Sequence, residues 1–271
     1  MILKIVLKLG LLSGFLLAND LELKNIFEKY NLDGTLVISS LNNKIHYSYN
    51  DTRAHKRFSP ASTFKIPHTL IVLNENIVTS QDDIIKWDKI ERAYEVWNQD
   101  QTLKSAFLVS CIWCYQKFTA QLSKEKYLEY LKRFNYGNAT IGSNISEFWL
   151  DGSLKISAYE QIDFLKKLYK NRLLTNEKSM LMVKNILVEE ENEYYVLRAK
   201  SGWDGEIGWY VGYVTTQEES YFFAMNATFK KEQLHLRKEI VLNALKVKKL
   251  LHIKNLNNNK YKQPKQIKAP F

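Results

Sequence analysis

A chain of 271 residues, 45% hydrophobic and 25% charged, has the composition of one globular domain or two close lobes. That excludes a disordered chain, a collagen and a multi-span membrane protein. The net charge of +10 would point to nucleic acid if it covered the body, but it sits in the ends. Lys4 and Lys8 fall in the first 18 residues, eight lysines and no acid fill 246–271, and 19–245 is left neutral. A neutral body argues against a phosphate-tracking groove, so no nucleic-acid partner is expected and the tail reads as a solvated charge run.

Residues 1–18 combine a basic start, a short apolar run and a small residue, Ala18. This is the pattern of a secretory leader cut after Ala18, and it is too short to span a membrane. The expectation is an exported, periplasmic protein with a leader at 1–18, a domain at 19–252 and a disordered basic tail at 253–271.

In chain order, 21–30 reads as a short helix. The runs 35–41 and 44–49 alternate around Asn42-Asn43, a hairpin signal. A helix is predicted over 59–73, with Ser59 as its N-cap and Pro60 as its first residue. Residues 76–120 are mixed, and 123–134 is amphipathic. Ser157 and Glu160 form a capping box that opens a helix to about residue 170, and a further helix follows at 176–187. Three strand-like runs come next, at 193–200, 208–216 and 221–227, and then a long helix at 233–251. The order predicts an α/β chain of the α+β kind. Both ends of the chain would build an antiparallel sheet flanked by the terminal helices, with a helical lobe inserted between them. The seam between the lobes is where a site is expected.

The cysteines are Cys111 and Cys114 alone, and the five histidines are scattered. That spacing holds no zinc set, so no metal is expected. The neighbours Ile112, Trp113 and Tyr115 favour two buried thiols over a disulfide.

The chemistry begins at Ser62. In the first turn of a helix, unpaired N–H groups and the positive dipole end favour negative charge on a nucleophile or on an attacked carbonyl oxygen. Lys65 falls on the same face one turn on and can activate the hydroxyl. The S-x-x-K pattern alone is weak, because a chain of this composition yields about two by chance. It has two, Ser62–Lys65 and Ser123–Lys126. The second opens a charged helix, whereas the first lies among Phe58, Phe64 and Ile66, and Pro67 breaks its helical pattern at a cost of about 3 kcal/mol. Lys200-Ser201-Gly202 ends a strand. Its charge and hydroxyl suit a substrate carboxylate, and its glycine would let substrate backbone approach. Ser110 offers a second hydroxyl for proton relay. Trp149 by itself would be core, and Arg237 a solvated helix residue.

Taken in order, Ser59-Pro-Ala-Ser-Thr-Phe-Lys65, Ser110-Cys-Ile112, Tyr136-Gly-Asn138, Phe148-Trp-Leu150, Lys200-Ser-Gly202 and Leu236-Arg-Lys238 resemble the class D, oxacillinase-type serine β-lactamases over roughly 20–250. The resemblance implies the penicillin-recognising fold and hydrolysis of β-lactams through an acyl-enzyme. It implies Ser62 as nucleophile, Ser110 as proton relay, and Lys65 as a base carboxylated by carbon dioxide or bicarbonate, with no other cofactor. Lys200, Ser201, Gly202 and Trp203 would line the substrate site, the N–H groups of Ser62 and Trp203 would form the oxyanion hole, and Arg237 would pair with the substrate carboxylate. Trp149 would steady the modified lysine and Ile112 would shield it. The chain departs from the family in K-S-G for K-T-G and S-C-I for S-x-V, and its Trp203-Asp204-Gly205 loop bears on the substrate pocket. The alternatives are a sensor domain that acylates without turnover and a small peptidoglycan DD-peptidase.

Overall fold

The computed structural model describes residues 20–251. The leader at 1–18 and the tail at 253–271 lie outside them.

The chain opens with α1 (Leu21–Lys29), whose first N–H groups bond to the Asp20 carboxylate and which buries Leu23 and Phe27. Strands β1 (Gly34–Ser40) and β2 (His46–Tyr49) form the expected hairpin, with Asn43 in the left-handed region at its turn. Next come α2 (Asp51–His55), a 3₁₀ turn (Ala61–Phe64) and α3 (Lys65–Asn74). The helical lobe holds the short pair β3 (Ile84–Ile85) and β4 (Gln101–Thr102), then α4 (Leu103–Leu108), α5 (Ile112–Thr119) and α6 (Lys124–Phe134). The chain returns through α7 (Ala158–Tyr169) and α8 (Glu177–Ile186) to β5 (Val188–Glu191), β6 (Tyr195–Trp203), β7 (Ile207–Thr216) and β8 (Ser220–Thr228), and α9 (Leu236–Val247) closes it.

Six strands make one antiparallel sheet in the order β2-β1-β8-β7-β6-β5. The N-terminal hairpin joins the C-terminal strands through β1 and β8, with Val37 opposite Ala224. Helices α1 and α9 pack together at one face, and Lys248 at the end of α9 bridges Asp20 and Glu22 at 2.6 and 2.5 Å. Helix α7 lies against β8, β1 and β7, and its Ser157–Glu160 capping box forms as the sequence predicts.

Strand β5 has no signal in the sequence. Its run Val-Glu-Glu-Glu neither alternates nor carries turn residues, and it is a strand because β6 offers it an edge, with Glu190 opposite Leu197. The expected single helix over 59–73 is two elements. The Ser59 hydroxyl does not cap it but donates to the Trp149 carbonyl at 2.9 Å, and Pro60 itself stands at the helix entrance. Because α3 starts at Lys65, Pro67 lies in its first turn, where a missing N–H is tolerated, so the interior-proline cost does not arise.

Candidate active site

Ser62 stands where three segments meet. The Trp149 carbonyl accepts both the Ser59 hydroxyl and the Ala61 N–H, and the Trp209 indole N–H donates to the Ser59 carbonyl at 2.8 Å. Between these anchors Ala61 is held at φ 47°, a left-handed conformation that a residue with a Cβ adopts only when its surroundings enforce it. The 3₁₀ turn that follows is tied by the Thr63 hydroxyl to the Pro60 carbonyl at 2.7 Å, and Gln161 of α7 donates to the same hydroxyl.

Lys65 begins α3, and its amine donates to Ser62 Oγ at 3.2 Å. Both residues are 1% exposed, so the pair is sealed from bulk water. Among the described residues no carboxylate is paired with this amine, and the Tyr115 ring lies 4.9 Å from Nζ. Burial, and then the charge of Lys200, hold the amine well below the ordinary lysine range. Trp149 stacks on Phe64, and its indole N–H is buried with no partner among the described residues. The Tyr136-Gly137-Asn138 turn braces the loop that carries it. Asn138 bonds to Ser153 and Lys155, and Gly137, at φ 56°, passes so close to the Lys155 carbonyl that a Cβ would lie 2.0 Å from it.

Ser110 links α4 to α5 at φ 55° and is fully buried. The Lys200 amine reaches it from β6 at 2.6 Å. Burial, and then the nearby Arg237, bring Lys200 down to about 7. Arg237 at the start of α9 is buried rather than solvated. Its guanidinium donates to the Gly202 carbonyl at 2.8 Å and to the Leu234 carbonyl at 2.7 Å, and burial lowers it to about 10. Ser201 and Trp203 are half-buried at the same strand end, and Ile112 is half-buried at the start of α5.

Three readings change. Cys111 and Cys114 form a disulfide and are not two thiols. Cys111 occupies the N-cap of α5, so its sulfur lies over the first turn, which is where Cys114 falls. Gly202 serves the protein's own backbone more than a substrate's: a Cβ there would sit 3.0 Å from the Pro60 carbonyl oxygen and from Ser62 N. Strand β6 thereby seats the nucleophile turn. And Arg237 is a buried residue, not a solvated one; Gly208, opposite Trp203 in β7, leaves room beside it, since a Cβ there would run into the Phe229 ring and come within 3.2 Å of the arginine Cδ. Gly208 and Tyr115 were not singled out in the sequence; a glycine amid an apolar strand was the available signal for the first.

Ser62, Lys65, Ser110, Lys200 and Arg237 thus come from the 3₁₀ turn, α3, the α4–α5 link, β6 and α9 in that order. The penicillin-binding protein transpeptidase domain family matches residues 29–246. The chain is 41% identical to β-lactamase OXA-20 of Pseudomonas aeruginosa over 218 residues, 79% of this chain and 82% of that one. It is 38% identical to β-lactamase OXA-48 of Klebsiella pneumoniae over 230 residues, 83% of this chain and 87% of that one. The chain belongs to the class D serine β-lactamases. Among solved structures, the class D β-lactamase FUS-1 (OXA-85) of Fusobacterium nucleatum subsp. polymorphum superposes on this β-lactamase with a TM-score of 0.84 at 37% identity, covering 86% of this chain and all of that one. The class D β-lactamase of Sebaldella termitidis gives 0.82 at 39% identity, covering 85% and 96%. The sheet order and inserted helical lobe are therefore those of the penicillin-recognising fold. Among the described residues no helix is long and apolar enough to cross a membrane, and no group of three His, Cys, Asp or Glu side chains could hold a metal ion.

Proposed function

We propose that this enzyme hydrolyses β-lactam antibiotics by way of a Ser62 acyl-enzyme, with Lys65 carboxylated by carbon dioxide or bicarbonate as the general base, and that it confers resistance to them. The observation that carries the reading is the sealed Ser62–Lys65 pair at 3.2 Å, its amine held well below the ordinary lysine range by burial and with no described acid beside it. The residues fit a carboxyl group on Nζ, because the Trp149 indole N–H is a buried donor without an acceptor, and leaving it so is costly. When bound, that group supplies an anionic oxygen base.

The chain's own residues do the rest. Ser62 Oγ attacks the lactam carbonyl after losing its proton on the Lys65 side. The N–H groups of Ser62 and Trp203 receive the oxyanion, where each preorganised donor is worth about 2.7–4 kcal/mol. Ser110 and Lys200, bonded at 2.6 Å, return a proton to the leaving nitrogen. Arg237, Lys200 and Ser201 take the substrate carboxylate, and Ile112 limits water near Lys65. Export to the periplasm is supported by the pattern of 1–18 and by the Cys111–Cys114 disulfide, which belongs in an oxidising compartment.

The test mixes purified protein with a penicillin and a chromogenic cephalosporin and follows product and protein mass together. Turnover with a transient adduct on Ser62 is expected. An adduct that persists without product would make the protein a sensor instead. Acid protonates the Lys65 amine and so removes the base, and activity is expected to fall at mildly acidic pH and to return with bicarbonate.

A further inference from the structure

His68 lies one turn beyond Lys65 on α3 and is wholly buried. Five aromatic rings enclose it: Phe64, Tyr115, Phe118, Tyr127 and Trp149, with centroids between 5.0 and 6.2 Å away. Two of them bear on the base. Tyr115 stands under Nζ, and Trp149 carries the unpartnered indole N–H. Both meet the imidazole edge to face, at 65° and 60°. One hydrogen bond joins Nε2 and the Tyr127 hydroxyl at 2.7 Å, and Nδ1 has no partner among the described residues. Tyr115 comes from α5, Tyr127 from α6 and Trp149 from the loop before α7, so three segments converge on this ring.

Packing alone does not ask for an imidazole here. A hydrocarbon ring would fill the space without leaving a buried nitrogen unpaired. What the imidazole adds is a directional bond to Tyr127, which fixes its rotation and hence the faces on which Tyr115 and Trp149 rest. Burial holds the imidazole well below its ordinary range, so the bond is made without adding a cation. The titratable groups around it are Lys65 on its own helix and the Tyr115 and Tyr127 phenols from α5 and α6, both pushed up by burial and neutral; Lys200 reaches Lys65 from β6 on the far side.

We propose that His68 is a positioning residue for the base: pinned by Tyr127, it holds Trp149 and Tyr115 where they favour carboxylation of the Lys65 amine. This rests on the carboxylated-lysine reading above. In that addition Lys65 Nζ forms a bond to the carbon of carbon dioxide, one C=O electron pair moves onto oxygen, and the nitrogen releases its proton to solvent. Bicarbonate in the medium supplies the carbon dioxide, and nothing is oxidised or reduced.

The test uses the exported full chain and two readouts: the carbamate signal in ¹³C NMR with labelled bicarbonate, and the bicarbonate concentration that gives half-maximal hydrolysis at a fixed, mildly acidic pH. Two variants approach the bond from either end, His68→Phe and Tyr127→Phe. In both, half-saturation is expected to rise about tenfold, equivalent to about 1.4 kcal/mol in the addition equilibrium. The carbamate signal should fall at low bicarbonate, and excess bicarbonate should restore kcat. His68→Asn, which can still bond to Tyr127, should recover part of the shift. A merely structural role would lower the unfolding temperature and leave half-saturation where it is. Wild-type half-saturation in a folded Tyr127→Phe variant, or activity loss that bicarbonate does not restore, overturns the proposal. A wild-type protein with no carbamate signal overturns the carboxylated base and this proposal together, which separates the two failures.

Discussion

The two S-x-x-K pairs of this chain share a spacing and nothing else. At Ser62–Lys65 the two side chains bond to each other inside the protein, and the amine has no acid beside it. At Ser123–Lys126 the serine hydroxyl accepts the Lys126 backbone N–H as the N-cap of α6, while the lysine amine turns to Glu129 at 3.4 Å and Glu75 at 4.0 Å. The same four-residue pattern makes a buried serine–lysine pair in one place and a helix start in the other. The difference lies in what surrounds it: Trp149, Tyr115 and Gly202 around the first, water and carboxylates around the second. Chemistry here is a property of burial and of unpaired charge, and the motif only supplies atoms.

The comparison breaks most sharply at the serines. Ser62→Ala removes the attacking oxygen, and kcat is expected to fall by at least about a hundred-thousandfold, as when other serine nucleophiles are removed. No adduct should appear on Ser123 or Ser110. An acylated Ser123 in that variant would make the two pairs equivalent and end the distinction. Next in size is Gly202→Ala. The added Cβ meets backbone at 3.0 Å on Pro60 and Ser62, so the turn that carries Ser62 has to give by a few tenths of an ångström. A full ångström costs about a hundredfold, so a fall of about tenfold in kcat/KM is expected. Kinetics within threefold of wild type would show that β6 does not seat Ser62.

The sequence showed more of the fold than of the reasons for the site. Helices with caps in sequence, such as those opened by Ser157, Asn176 and Ser123, were legible because a cap is a local contact. The sheet's outer strand β5 was not, since a run of glutamates becomes a strand only through its neighbour β6. At the site, the residue types at 62, 65, 110, 200 and 237 were legible from order and spacing. Their environment was not. That Arg237 donates to the Gly202 carbonyl depends on a strand 35 residues away, and that Ser59 bonds to the 149 carbonyl instead of capping a helix depends on a loop ninety residues away. The disulfide was misjudged because apolar neighbours describe a buried sulfur equally well in either state; the N-cap position of Cys111, which brings Cys114 over it, is visible only in three dimensions.

The lysines give a smaller and oppositely signed contrast. Lys65 is depressed by burial, so between its folded pKa and about 10.4 the unfolded chain binds one more proton than the folded one. Stability therefore rises with pH across that window, and the buried amine is a burden at neutral pH. Lys65→Met is expected to be inactive and more stable by about 1–2 kcal/mol at pH 7 in bicarbonate-free buffer, the usual range for relieving a strained functional site. Its advantage should shrink as pH approaches 10. Lys126→Met removes only partly exposed ion pairs and should change stability by no more than about 0.5 kcal/mol. Urea titrations across pH decide this, and a Lys65→Met variant less stable than wild type at pH 7 would remove burial as the cause.

The smallest effect on activity belongs to Ser123. Its hydroxyl satisfies one N–H at the start of an eleven-residue helix that carries Tyr127, Tyr130, Leu131 and Phe134 into the core. Losing an N-cap serine to alanine costs about 1 kcal/mol, because water replaces the lost acceptor only in part. In a domain of this size that lowers Tm by about 2–4 °C. Hydrolysis should be unchanged, since nothing near Ser62 touches this cap. Ser123→Asp keeps an acceptor and places a negative charge at the positive end of the helix, so it should restore the lost stability. The pair of variants isolates the cap: alanine lowers Tm, aspartate returns it, and kcat/KM stays level throughout. A fall in kcat/KM with intact Tm would instead tie α6 to the active site, through the Tyr127 that this helix places against His68.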